Sequence, residues 1–407
     1  MKCRHCNHSL SLSFVDLGVM PPSNAYISCE SDFQKEASLP LNILVCDKCW
    51  LVQTEDFTRA DELFTDDYAY LSSTSSSWVE HAKQFVEDLV ENRNLNAESF
   101  VLELAANDGY LLQHVVEKGI PCLGIEPTSV AAEIAKSKGI EIQECFFGLE
   151  QANRLLVDYP KADAIIGNNV LAHVPDINDF VSGIATMLAK TGVVSLEFPH
   201  LLNLIKFKQF DTIYHEHFSY LSLIAVSNIL ASAGLEVISV EKLPTHGGSL
   251  RVWAQHSDHS LKVSQNVFDV LEEEREFGMC LHETYQNFTL SVDVISQGLK
   301  AFLQTVKESN KTIVAYGAAA KGNTLLNYAG IDVSDIPVVF DAADSKQGKF
   351  MPASHIPILP PSELKRFSPD YVLILPWNIA PEIIAVVKPQ VPETCKFVTA
   401  IPELSII

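Results

Sequence analysis

Phe100-Val101-Leu102-Glu103-Leu104-Ala105-Ala106-Asn107-Asp108-Gly109 is the stretch on which the fold turns. Its first five residues form an apolar run of strand length. Ala-Ala-Asn-Asp-Gly then has the composition of a tight turn, and a helical pattern follows. The same alternation continues downstream. Strands are expected at 122–126, 140–145, 164–167 and 192–198, with a helix at 128–138 between the first two. Strands spaced by helices imply a mostly parallel sheet covered on both faces. After a helix near 219–233, strands at 235–240 and 249–256 flank Gly247-Gly248, which fits a hairpin closing that sheet. Residues 262–309 are charged and helical, as one long or two shorter helices. A second α/β unit begins at 310, where a strand at 311–316 leads into Gly317-Ala318-Ala319-Ala320-Lys321-Gly322; further strands are expected at 337–341 and 371–375. Residues 1 to about 65 are irregular and contain cysteines. The expected divisions are therefore 1–65, 66–262, 263–309 and 310–407.

The turn after the first α/β strand is where such sheets bind a nucleotide-like cofactor. Folds for dinucleotides or S-adenosylmethionine (SAM) place glycines near positions 105 and 107, but here only Gly109 remains. Ala105 is small enough for close approach, and Asn107 tolerates unusual backbone angles. Glu126, at the end of the next strand, is placed to accept two ribose hydroxyls. Asp108 is suited either to the cofactor's amino group or to capping the helix. Asn169, after the fourth strand, is a candidate for the methionine part of SAM or simply a turn former. Glu103, Ala105, Asn107, Asp108, Gly109, Glu126 and Asn169 thus form the candidate cofactor set. Ordinary strand-to-helix chemistry is the competing reading.

Nine cysteines are present, four of them in Cys3-x-x-Cys6 and Cys46-x-x-Cys49. Two such knuckles complete a tetrahedral sulfur shell suited to Zn²⁺, with no position left for water. A structural ion held by Cys3, Cys6, Cys46 and Cys49 is expected, in preference to ordinary or redox-active thiols. The N-terminus lacks the apolar run of a signal peptide, and no stretch is long enough to span a membrane. A cytoplasmic protein is expected. The formal net charge of -22 disfavours nucleic acid and anionic membrane as partners. An anionic ligand must meet local cations or backbone N–H groups that the overall charge conceals. A monomer is the default expectation.

Tyr214-His215-Glu216-His217 is the densest group of titratable side chains, with Asp211 before it and Tyr220 after. Two imidazoles and a phenol suit proton transfer. Earlier, Tyr68 and Tyr70 precede a Ser/Thr cluster that reads either as a linker or as a ligand-touching loop.

Taken in order, these segments resemble the SAM-dependent sugar C-methyltransferases that act at C-3 of nucleotide-linked 4-keto-deoxysugars. The similarity runs over essentially the whole chain. It includes the cysteine pairs, Pro21-x-x-Asn24, Tyr68-x-Tyr70, the 103–112 turn, Gly124-Ile125-Glu126-Pro127 and 210–220. It continues through His246-Gly247-Gly248-Ser249-Leu250-Arg251, Tyr316-Gly317-Ala318-x-x-Lys321-Gly322, Lys346-Gln347-Gly348 and Pro376-Trp377-Asn378. The resemblance implies a zinc-binding N-terminal unit, a central SAM-binding Rossmann-like sheet and a C-terminal Rossmann-like unit that helps hold the sugar nucleotide. It implies that His217 is the general base, Tyr214 an active-site tyrosine and Glu216 an orienting partner. Tyr68 or Tyr70 would reach the sugar, with Tyr220 also on the substrate side. Lys321 would contact the diphosphate or the nucleotide, and Asp341 the ribose or base. Asp341 is followed by Ala342-Ala343, where relatives commonly place Asn and Pro, so dTDP and GDP both stay open. In the implied chemistry the base removes the C-3 proton, and donors such as His215 or a nearby Tyr stabilise the enolate oxygen. O- or N-methylation of a related sugar, a dinucleotide enzyme and a non-catalytic zinc scaffold are the alternatives.

Overall fold

The computed structural model describes residues 1–55, 60–63, 71–259 and 261–407. Tyr68 and Tyr70 lie outside these residues. The N-terminal part is more regular than its sequence suggests. Strand β1 (Leu12–Met20) pairs antiparallel with β2 (Leu39–Val45), Leu12 opposite Val45 and Met20 opposite Leu39. The Cys46–Cys49 knuckle then turns the chain into β3 (Val52–Thr54). Register shifts between Ser13 and Val15 and between Asp16 and Val19 break the two-residue alternation of β1, which is why that strand is hard to read in sequence.

The central sheet is built from β4 (Val101–Leu104), β5 (Cys122–Ile125), β6 (Ile142–Gln143), β7 (Ala162–Asn168) and β8 (Leu188–Pro199), all parallel. The chain next contributes β9 (Ser219–Tyr220), where a helix was expected to begin. This strand pairs with β3 and so joins the N-terminal sheet. The expected helix is confined to Leu223–Ser232, with Ser222 capping it through Ala225 N–H. β10 (Leu235–Leu243) and β11 (Ser249–His256) form the antiparallel hairpin, and β11 also pairs antiparallel with β8. The resulting order is β10-β11-β8-β7-β4-β5-β6. Its direction of winding reverses beside β4, and a crevice opens at the carboxyl ends of strands at such a point.

Residues 262–309 form three helices rather than one or two: Gln265–Glu276, His282–Gln286 and Phe288–Glu308. The last is amphipathic, and it buries Phe288, Val292, Ile295, Leu299 and Leu303 in a core shared with β1 and β2. Phe14 stacks on Phe288 with ring centroids 4.4 Å apart. Each such side chain removed from water contributes about 1.5–3 kcal/mol. The C-terminal sheet comprises β12 (Ile313–Tyr316), β13 (Val339–Phe340), β14 (Ile358–Leu359), β15 (Tyr371–Ile374), β16 (Lys396–Thr399) and β17 (Ser405–Ile406), in the order β14-β13-β12-β15-β16-β17. The core that binds β1 to Phe288–Glu308 continues into this sheet through Ile313, Ala315, Val339 and Leu373. The N-terminal and C-terminal units are therefore packed together. The carboxyl edge of the central sheet faces residues from both.

Candidate active site

The four thiol sulfurs of Cys3, Cys6, Cys46 and Cys49 lie within 4.8 Å of one another, and the Cys3–Cys49 and Cys6–Cys46 sulfurs are each 3.5 Å apart. Zn–S bonds of about 2.3 Å in a tetrahedron require sulfurs about 3.8 Å apart, so the donor set fits Zn²⁺. The two knuckles share one backbone form. Cys3 N–H donates to His8 C=O and Asn7 N–H to Cys3 C=O; Cys46 N–H donates to Leu51 C=O and Trp50 N–H to Cys46 C=O. Asn7 and Trp50 both adopt positive φ, 58° and 60°. His5 and His8 engage Asn178 and Asp47 instead of this cluster.

A single cavity of about 520 Å³ runs along the carboxyl edge of the central sheet to the C-terminal unit. At one end, by the turn after β4, Ala105, Asn107 and the neighbouring Gly109 all have positive φ (56°, 49° and 73°), as does Asn169 (53°). Alanine and asparagine thus take up the left-handed conformation that glycine holds at lowest cost. Ala105, Asn107, Glu126 and Asn169 line the cavity. Glu126 Oε2 accepts from Asn107 N–H at 2.9 Å and Oε1 from Thr128 N–H at 2.9 Å. Burial nevertheless raises its pKa. Phe146 and Phe147, which follow β6, add aromatic surface beside it.

Three expected cofactor residues do not line the cavity. Asp108 is fully buried, and its carboxylate neither contacts the cavity nor caps the helix. Its Oδ2 accepts from Ser73 N–H at 3.1 Å and from the Ser73 hydroxyl. Together with the Ser72 N–H to Asn107 Oδ1 bond of 2.8 Å, this pins the Ser/Thr cluster to the turn. Ser72 and Trp78 then form part of the cavity wall, so the cluster is no simple linker. Gly109 is a packing residue. A Cβ there would lie 2.3 Å from Ile140 Cδ1 and 3.1 Å from Ala135 Cβ. Glu103 is buried beneath the turn with both carboxylate oxygens unpartnered, and burial, with Glu126 and Asp108 near, raises its pKa well above the usual range.

At the other end of the cavity, Tyr214 and His217 line the wall with ring centroids 4.1 Å apart. His217 Nδ1 lies 2.9 Å from Thr212 C=O, so Nδ1 carries the proton and donates it. Nε2 is left with its lone pair. Burial, with His173 close by, lowers the His217 pKa well below 6.5, so the ring is neutral at physiological pH. Glu216 Oε1 accepts from both the N–H and the side-chain amide of Asn24 (3.2 and 3.0 Å), which ties the loop to the N-terminal unit.

His215 is not a donor to this cavity. Its Nε2 addresses the carbonyls of Leu39 and Pro40 at 3.3 and 3.2 Å, against β2. Tyr220 is also turned away. It is buried in β9, and its hydroxyl lies 3.5 Å from Tyr214 C=O. Asp341 is held at the C-terminal glycine turn, where its carboxylate accepts from Ala318 N–H at 2.7 Å and Ala343 N–H at 2.8 Å. It does not line the cavity wall, although Lys346, which does, lies 3.7 Å from its carboxylate. Lys321 does reach the cavity. Its Nζ donates to Asn378 Oδ1 at 2.7 Å and sits 4.9 Å from the centre of the Trp377 ring. Burial lowers its pKa, with Asp211 opposing the effect.

The sequence reading assigned no role to several residues in the wall: His173, His246, Trp78 and Lys346. His173 follows β7 just after Asn169, and its position past a strand end was the available signal. His246 and Lys346 fall inside segments already singled out as family-like, but nothing in their spacing pointed them at the cavity.

Family models match residues 3–64 ("Putative zinc binding domain"), 78–240 ("Methyltransferase domain") and 244–402 ("C-methyltransferase C-terminal domain"). The C-methyltransferase NovU of Streptomyces niveus is 33% identical over 406 residues, covering 100% of this chain and 96% of NovU. Solved structures are similar over less than half of the chain. Magnesium protoporphyrin IX methyltransferase (ChlM) from Synechocystis PCC 6803, with SAM bound, is 17% identical, covers 43% of this chain and 78% of its own, and gives a TM-score of 0.33. A SAM-dependent methyltransferase from Anabaena variabilis is 14% identical, covers 42% and 83%, and gives 0.36. With a cysteine cluster that fits zinc, a cofactor turn at the switch point of its central sheet and a C-methyltransferase relative matching end to end, this chain belongs to the C-methyltransferase family and is a SAM-dependent enzyme.

Proposed function

We propose that the enzyme adds a methyl group at C-3 of a dTDP- or GDP-linked 4-keto-deoxysugar, through an enolate and with inversion at C-3. The carrying observation is the tautomer of His217. Its only N–H is donated to Thr212, and a bare Nε2 remains in the same cavity as the cofactor turn. Methylation of carbon needs such a base, because a carbon beside a ketone becomes nucleophilic only after losing its proton. The C-3–H pair becomes the C-3=C-4 bond, the carbonyl π pair moves to O-4, and the proton goes to Nε2. SAM, when bound, supplies an electrophilic methyl whose bond to sulfur breaks with its electron pair staying on sulfur. Ala105, Asn107, Glu126 and Asn169 are the residues proposed to hold SAM.

Two cations support an anionic substrate despite the acidic chain. Lys321 and Lys346 line the cavity beside the start of helix Ala320–Tyr328, where a diphosphate is well received. The C-terminal unit is accordingly proposed to hold the nucleotide. Tyr214 packs on the base and Glu216 orients its loop through Asn24.

The test is incubation with SAM and a panel of 4-keto-6-deoxysugars on dTDP and GDP in deuterated water, read by mass spectrometry. Gain of one methyl with loss of the C-3 hydrogen is expected. The variant His217→Asn should be slower by roughly 100- to 10,000-fold. Methyl gain with the C-3 hydrogen retained would instead indicate O- or N-methylation, and no reaction on any member would overturn the substrate reading.

A further inference from the structure

Among the described residues, three imidazoles line the cavity: His173, His217 and His246. Burial lowers the pKa of each, to about 4 for His173 and His246 and well below 6.5 for His217. Each is therefore neutral near pH 7 and owns a single N–H. At His217 that N–H goes to Thr212 C=O. At His173, Nδ1 lies 2.7 Å from Glu216 C=O, and a carbonyl can only accept, so this N–H is committed too. Neither ring therefore has an N–H to offer a ligand. At His246 no backbone carbonyl among the described residues takes the proton. Its Nδ1 is sealed from solvent without a partner, so Nε2 is the nitrogen able to meet a ligand.

We propose that His246 is the hydrogen-bond donor to the substrate's ketone oxygen as that oxygen becomes an enolate. This assignment rests on the C-methylation reading above. It fills the role that His215 leaves open by turning to β2. The proton stays on His246 Nε2 throughout, and the hydrogen bond strengthens as charge builds on O-4. A base as weak as His217 makes such a donor more necessary, since the enolate must be stabilised for the proton to leave.

The surroundings fix this ring in place. His246 holds φ 55° and ψ 22°, a left-handed conformation that costs a residue with a Cβ about 1 kcal/mol. On one side, the Thr245 hydroxyl donates to Glu197 Oε1 at 2.9 Å, and Arg251 pairs with Glu197 Oε2 at 2.8 Å. On the other, a Cβ on Gly247 would lie 2.4 Å from the Trp377 ring, and one on Gly248 2.2 Å from the Asn203 amide. The Trp78 ring meets His246 edge to face at 5.0 Å. His246 also lies within electrostatic reach of His217 and Lys321, which places it at the substrate end.

The experiment compares the full-length enzyme with His246→Gly and His246→Asn, both of which accept the left-handed backbone. C-3 hydrogen exchange of the active 4-keto sugar is followed in deuterated water without SAM, and methyl transfer is followed separately with it. Both rates should fall roughly 100- to 1000-fold in each folded variant. Free imidazole should restore exchange to His246→Gly but not to His217→Asn. Exchange within about threefold of wild type overturns the donor role. A large loss in His246→Gly that imidazole leaves unchanged overturns it as well, since the ring would then only hold structure. If the wild-type enzyme itself neither exchanges nor methylates any 4-keto sugar, the reading of function fails and this proposal with it.

Discussion

At His217, protonation and hydrogen bonding point the same way. The ring is buried, so its charged form is disfavoured, and its one N–H is held by Thr212. A base whose pKa lies well below 6.5 is already deprotonated at pH 6.5. Its contribution to C-3 exchange should therefore stay nearly constant from pH 8 down to 6.5, whereas an unperturbed histidine would be half protonated at pH 6.5 and would lose about half of its contribution. A pH profile of exchange checks this, and a midpoint near 6.5 in that profile would contradict the burial argument. The sequence made the residue types of this loop legible, but not their directions. His215 and His217 are two apart in one short motif, and either could have faced the ligand. The backbone turns between them, so that one ring meets β2 and the other the cavity. Asp108 shows the same limit. Its carboxylate suited a cofactor amine, but Ser73, thirty-five residues away, claims it.

The strand-turn-helix of 101–117 was legible because its pattern is local: four buried strand residues, a run of small and polar residues, then a helix. The turn also shows which departures from glycine are tolerated. Ala105 and Asn107 line the cavity, and Asn107 Oδ1 also accepts from Ser72 N–H, so the side chains have room and the cost is backbone strain. Gly109 faces Ile140 and Ala135, so a side chain there meets strain and overlap together. Gly109→Ala should destabilise the protein by about 1–3 kcal/mol, seen as a lower urea midpoint. Ala105→Gly should leave that midpoint unchanged or raise it. The N-terminal sheet was not legible, for the opposite reason. Two irregularities interrupt β1, and β3 completes its pairing with β9, far along the chain. No window of sequence holds both partners.

Across the whole molecule, the cysteine cluster and His217, the proposed base, are mechanically linked. Cys46 and Cys49 form the turn between β2 and β3; β3 pairs with β9, Val52 opposite Tyr220 and Gln53 opposite Ser219; and β9 begins two residues after His217. Asn24 adds a second tie through Glu216. A zinc ion held by the four thiols would thus act on His217 through the β2–β3–β9 connection. Stripping the metal with a chelator should lower the melting temperature by several degrees, at roughly 1 °C per kcal/mol lost in a chain of this size. C-3 exchange should fall in parallel, and both should return with Zn²⁺ rather than Mg²⁺. Loss of stability with exchange intact would mean that the β3–β9 link does not carry the effect.

The pairing of β3 with β9 also bears on how the polypeptide is made. A ribosome releases Val52–Thr54 long before Ser219–Tyr220. At about 5–20 residues per second, that edge waits roughly ten to thirty seconds for its partner. Throughout that interval the nascent zinc unit exposes unpaired backbone N–H and C=O groups, which a neighbouring chain or a chaperone can bind first.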